Sequence, residues 1–92
     1  MNVDDITVSG DERAKIFCLE IMDKMVELFG IPPTEAIGRI NRHWKGQKLY
    51  GPQMIYQRDA QFWANTIYYE ADAFWWVEEW MAEHTPKPKP YP

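Results

Sequence analysis

Residues 68–80 read YYEADAFWWVEEW, with two tyrosines, a phenylalanine and three tryptophans. How this stretch folds decides the architecture. Neither glycine nor proline occurs from Ala60 to His84, so local pattern predicts one long helix. Asp59 is its N-cap candidate, Pro86 stops it, and a bend near Glu70–Ala73 is left open. At about 100° per residue, Ala60, Trp63, Ala64, Ile67, Ala71, Phe74 and Met81 gather on one side, flanked by Tyr68 and Trp75. Phe62, Tyr69, Ala73, Trp76 and Trp80 gather on the opposite side. A helix that is apolar on two sides is normally covered on both. The second side therefore predicts a partner-binding stripe of Phe62, Tyr69, Trp76 and Trp80.

Working outward, DERAKIFCLEIMDKMVELFG (residues 11–30) predicts a second long helix. Ala14, Phe17, Cys18, Ile21, Met25, Leu28 and Phe29 recur at spacings of three and four and share one face. Ile16, Leu19, Met22 and Val26 widen that face. Asp11 and Glu12 suit the positive end of the helix dipole, and Gly30 suits the C′ position. Pro32-Pro33 then breaks and restarts the chain. PTEAIGRINRHWKG carries Ala36, Ile37, Ile40 and Trp44 on one face, with Arg39, Arg42, His43 and Lys45 elsewhere. Gly38 inside this helix costs about 1 kcal/mol relative to Ala, which close helix packing would offset. Residues 46–58 read as an ordered irregular loop pinned by Leu49, Tyr50, Met54, Ile55 and Tyr56, too short for a sheet. Residues 1–10 read as a loose leader, and PKPKPYP as an extended, solvated tail that packs on nothing. The expectation is an all-α bundle of three main helices in one domain, residues 1–85, followed by the tail at 86–92.

Composition fits a single folded unit: 92 residues, 46% hydrophobic, 26% charged and an aromatic share of 15%. No apolar run approaches the roughly 20 residues of a membrane span. The acidic start lacks the pattern of a signal peptide. The lone cysteine, Cys18, has no internal disulfide partner, so the expected location is cytoplasmic. Net charge is −4 but uneven. Residues 1–35 hold eight acids and three bases, and residues 59–92 six acids and two bases. Residues 36–58 hold five bases (Arg39, Arg42, Lys45, Lys48, Arg58) and no acid. That segment is an electropositive band on an acidic chain.

The chemistry-bearing residues do not assemble into a catalytic motif. Cys18, His43 and His84 lack metal-ligand spacing, and Cys18 lies on an apolar helical face where a thiol is inert packing. Glu78-Glu79 reads as a solvating pair. No glycine-rich phosphate loop or Ser-His-Asp arrangement is present. The reading is therefore no enzyme, no metal and no cofactor; were there a catalytic cleft, Arg39, Asn41, His43 and Tyr56 would line it. The alternative function is nucleic-acid or anion binding by segment 39–58. There Arg39, Arg42, Lys45 and Lys48 would meet phosphates, with Trp44 or Tyr50 stacking on bases. The tail also has the composition of a ligand for an aromatic groove.

Gly38-Arg39-Ile40-Asn41, Trp44-Lys45-Gly46-Gln47, Phe62-Trp63-Ala64, Ile67-Tyr68-Tyr69 and Trp75-Trp76 together resemble a type of small uncharacterised bacterial protein. The resemblance covers residues 30–77. By size and composition the chain is also similar to toxin-immunity proteins and phage-encoded inhibitors, which act by binding. The resulting expectation is a protein–protein binding module, a homodimer through helix three, without a membrane partner.

Overall fold

The computed structural model describes residues 2–49 and 57–92. Four helices dominate the described residues: α1 (Glu12–Phe29), α2 (Pro33–His43), α3 (Ala60–Tyr68) and α4 (Glu78–Glu83). The fold is mostly helical, with 57% helix, but not purely so. Two short strands, β1 (Ser9–Gly10) and β2 (Lys48–Leu49), pair in parallel with Ser9 opposite Lys48 and Gly10 opposite Leu49.

The ends of α1 follow from its caps. The Asp11 carboxylate accepts the Ala14 amide at 2.8 Å, satisfying a donor that has no partner within the first helical turn. Gly30 closes the helix in the left-handed conformation, φ 66°, and its amide returns to the Val26 carbonyl. Asp59 caps α3 in the same manner, accepting the Phe62 amide at 2.8 Å. Pro32 and Pro33 set the start of α2, where missing amide hydrogens cost nothing.

The core lies where α1 meets α2 and α3. Ile21, Met25, Ile40, Ile67 and Cys18 are the largest fully buried side chains among the described residues. The spacing-derived faces of α1 and α2 supply most of it: Ala14, Phe17, Ala36, Ile37 and Trp44 are buried as well. Leu28, placed on the α1 face by spacing, is exposed at the helix end, as is Ile16.

The leader is not loose. Ile6 and Val8 are buried in the core. The Thr7 amide donates to Asn41 Oδ1 at 2.9 Å, and Asn41 Nδ2 donates to the Asp5 carbonyl at 3.1 Å. Alternation about Thr7 sends two β-branched side chains inward, the two-residue period of an extended chain. β2 departs from the expected irregular loop for a related reason: Leu49 is buried, so the backbone around it needs hydrogen-bond partners, and β1 supplies them. The expected anchors Tyr50, Met54, Ile55 and Tyr56 lie outside the described residues.

The predicted long third helix ends at Tyr68. Tyr69 is extended, φ −85° and ψ 155°, and residues 70–77 form turns before α4 begins. The cause is the proline-rich segment, which is docked rather than solvated. The Lys89 amide donates to the Tyr68 carbonyl at 2.8 Å, and the Glu70 amide donates to the Lys87 carbonyl at 2.9 Å. These bonds flank an antiparallel bridge between Tyr69 and Pro88. Continuing the helix would need those same groups of Tyr68 and Glu70 for its own ladder. Pro88 sits at the bridge position where no amide is required, so the Pro-Lys alternation suits this pairing.

Candidate aromatic interaction surface

Residues 70–86 leave the helical body after α3 and return at Lys87, with the Tyr69–Pro88 bridge closing their base. The Ala73 amide bonds back to the Glu70 carbonyl and the Val77 amide to the Phe74 carbonyl, giving successive turns. α4 follows, and none of its residues is buried. This excursion, together with Phe62 of α3, carries a chain of rings in mutual contact across the surface. Phe62 meets Trp75 at 5.1 Å, Trp75 meets Trp76 at 5.5 Å, Trp76 meets Phe74 at 5.6 Å, and Phe74 meets Trp80 at 6.1 Å. All are edge-to-face geometries, the arrangement that ring quadrupoles favour. Trp80 ends the series stacked on His84 at 4.6 Å. Trp76 is 59% exposed and Phe74 48%, and the neighbouring Met81 is also exposed.

Three of the four residues assigned to the partner stripe, Phe62, Trp76 and Trp80, belong to this ring chain. Tyr69 does not: it lies edge-on to Phe29 at 5.4 Å and to Tyr68 at 5.2 Å. Burial there, with the Tyr68 phenol beside it, pushes the Tyr69 hydroxyl pKa upward. Phe74 and Met81, which helical periodicity assigned to the core side, instead lie on the surface, and Trp75 links the rings. A continuous helix was the wrong frame for these three residues.

Charge frames the rings. Glu70, Asp72, Glu78, Glu79 and Glu83 stand in the excursion, with no lysine or arginine from residue 59 to residue 86. At the other end of the series the Arg58 guanidinium lies 4.9 Å from the Phe62 ring centroid. A cleft of about 350 Å³ opens beneath the rings, walled by Phe62, Trp75 and Trp76 and floored by His43 and Lys89. Burial first, and the Lys89 charge second, lowers the His43 pKa to about 4. His43 is therefore neutral at pH 7.

The basic segment does not form one patch. Arg39 is 5% exposed. Its Nε donates to Glu35 Oε2 at 2.9 Å and its Nη1 to the Lys89 carbonyl at 2.8 Å. Its guanidinium lies 4.9 Å from the Tyr68 ring centroid and 5.2 Å from that of Tyr91. Arg42 donates to the Pro90 carbonyl at 2.8 Å. Both arginines thus hold the proline-rich segment. Lys45 and Lys48 are exposed beside a separate cleft of about 270 Å³ near β1 and β2. Trp44 is buried and edge-on to Trp63 at 5.4 Å, a core ring rather than a base-stacking one. Of the residues named for a catalytic cleft, Arg39 and Asn41 hold backbone carbonyls, His43 floors the aromatic cleft, and Tyr56 lies outside the described residues.

Among the described residues no group of three or more His, Cys, Asp and Glu gathers to hold a metal ion. No helix among them is long and apolar enough to cross a membrane. Burial raises the Cys18 thiol pKa to about 12, far from the thiolate form a nucleophile needs. No protein-family model, curated protein or solved structure matches the chain.

Proposed function

We propose that this protein is a non-enzymatic binding module that engages another protein through the ring chain Phe62–Trp75–Trp76–Phe74–Trp80, in the manner of immunity and inhibitor proteins. The observation that carries the reading is the exposure of Trp76 and Phe74 side by side, at 59% and 48%. A tryptophan left more than half in water forfeits on the order of 1–2 kcal/mol of burial. Contiguous exposed rings within a polar rim mark interaction sites, and tryptophan is the residue most enriched at binding hot spots.

The acidic rim selects the partner's chemistry. Two copies meeting face to face would bring the carboxylates of both excursions together, and like charges across an interface cost several kcal/mol. Our reading is therefore a hetero-partner with an apolar pocket and a basic rim facing the carboxylates, in place of the expected homodimer. The test captures binding partners on immobilised wild-type protein, Trp76→Glu and Lys45→Glu/Lys48→Glu, each with and without nuclease. A nuclease-resistant partner retained by the lysine variant and lost by Trp76→Glu is the expected result. Equal capture by wild type and Trp76→Glu, with circular dichroism unchanged, would remove the aromatic face from binding.

A further inference from the structure

The proline-rich segment lies on the helical body as a peptide lies on a receptor. Residues 86, 88 and 90 are prolines, so the amide hydrogens between 86 and 90 belong to Lys87 and Lys89 alone. That of Lys89 goes to the Tyr68 carbonyl. The next two carbonyls, of Lys89 and Pro90, are each held at 2.8 Å by Arg39 and Arg42, neighbours on one face of α2. Tyr91 follows, its ring centroid 5.2 Å from the Arg39 guanidinium and 5.4 Å from that of Arg42. The ring covers Gly38 so closely that a methyl group there would overlap its hydroxyl. These contacts read the amide and carbonyl of one residue, the carbonyl of the next and a tyrosine ring, groups that a Pro-x-Pro-Tyr segment presents. Pro88 and Pro90 themselves are exposed.

Lys89 is the poorly matched position. Its Nζ donates to the Thr66 carbonyl at 3.1 Å. Burial and the charges of Arg42 and Arg39 nevertheless lower its pKa, with Glu70 alone opposing them. An uncharged hydrogen-bonding residue such as glutamine brings no charge to desolvate there and none for Arg39 and Arg42, which hold the adjacent carbonyls, to repel.

We propose that the groove formed by Gly38, Arg39 and Arg42 of α2 with Tyr68 of α3 is a docking site for a Pro-x-Pro-Tyr segment of a partner protein, with an uncharged hydrogen-bonding residue at x. Residues 88–91 of this chain occupy the groove as a displaceable internal ligand. Displacing them also removes the Tyr69–Pro88 bridge that closes the base of the aromatic excursion.

The experiment titrates labelled TPKPQPYP, TPKPKPYP and a scrambled octapeptide into the full chain and follows fluorescence anisotropy. In the wild type the tethered segment competes. Tyr91→Ala removes its ring contacts and leaves the groove open more of the time, so TPKPQPYP should bind this variant about tenfold tighter than wild type. Tyr91→Ser, which removes the same ring contacts, provides a second opened chain if Tyr91→Ala does not fold. Adding Arg42→Gln, at an exposed position, should weaken binding about tenfold by removing the guanidinium that donates to the Pro90 carbonyl. TPKPKPYP should bind less tightly than TPKPQPYP. The proposal is overturned by no binding to either opened variant at millimolar peptide, by equal binding of the scrambled octapeptide, or by indifference to Arg42→Gln. A wild-type dimer that the peptide dissociates would assign the groove to a second copy and overturn the partner reading.

Discussion

Substituting Gly38 by alanine turns the docking of the proline-rich segment into a question of sign. Gly38 lies inside α2, where alanine is favoured over glycine by about 1 kcal/mol, so the change should stabilise a helix with an open face. Here the added methyl carbon would sit 2.7 Å from Tyr91 Cζ and 3.0 Å from its Cε1, and the ring must leave. Tyr91 is partly exposed and free to swing out, at the expense of its contacts with Arg39 and Arg42. Cation–π contacts at such sites contribute about 0.5–1 kcal/mol each. The loss of about 1–2 kcal/mol meets a gain of about 1, so Gly38→Ala alone should be neutral to about 1 kcal/mol destabilising. In a Tyr91→Ala background the same methyl meets no ring, and Gly38→Ala should stabilise by the full propensity difference of about 1 kcal/mol. Urea melts of the four chains give the coupling directly, expected at about 1–2 kcal/mol. A stabilisation of about 1 kcal/mol in both backgrounds, with coupling inside the measurement error of about 0.3 kcal/mol, would show that Tyr91 does not cover Gly38 and that the segment is solvated.

The core assignment predicts that Ile21→Ala and Ile67→Ala each cost about 2–5 kcal/mol in denaturant melts, since both side chains are fully enclosed. Trp76→Ala, on the surface, should change stability by less than about 0.5 kcal/mol, and an equal loss at all three positions would move the core boundary. His43 supplies a pH dependence. Unfolded, it takes up a proton below about pH 6.5; folded, it stays neutral down to about pH 4. The unfolded state therefore binds the extra proton in that window, so this contribution is intact above pH 6.5 and declines as pH falls to 4. The ring is half-buried, with Lys89 and Glu70 facing it across the cleft, so solvent screening reduces the loss to about 1–2 kcal/mol. Melts of wild type and His43→Gln between pH 4 and 7.5 isolate it, because carboxylates common to both chains cancel; a pH-independent difference would refute the assignment.

Local signals sufficed for α1 and α2. Asp11, Gly30 and the Pro32-Pro33 pair each act within one helical turn, and spacings of three and four residues picked out a buried face on each helix. The end of α3 is of another kind. Nothing between Ala60 and His84 forbids a helix, and the competitor is a segment about twenty residues further on that takes the Tyr68 carbonyl and the Glu70 amide. A usable signal was present in Lys87 and Lys89, the only residues between 86 and 90 with an amide hydrogen to donate. Arg39 departs from expectation because its residue type predicts exposure. Its burial depends on Tyr68 and Tyr91, rings that only the docked segment brings together, and the visible hint was Glu35 at the i−4 position. In the leader, the inward Ile6 and Val8 about an outward Thr7 gave a two-residue period, too brief to weigh against acidic neighbours.

The break in α3 also explains how a small protein tolerates so many exposed rings. Had residues 60–84 remained one helix, Phe74 and Met81 would share a face with Ile67, and every change to the surface rings would propagate into the core along a rigid rod. Ending the helix at Tyr68 separates the two tasks. Ala64 and Ile67 close the interior before the chain turns outward. The excursion from Glu70 to Glu83 is tied down by main-chain hydrogen bonds at Tyr68, Glu70, Lys87 and Lys89, by the buried Ala73 and by the contact of Trp75 with Phe62. Main-chain ties are indifferent to the side chains displayed above them. The rings of Phe74, Trp76 and Trp80 are thereby free to be chosen for what they contact, while α1, α2 and the first turns of α3 hold the fold.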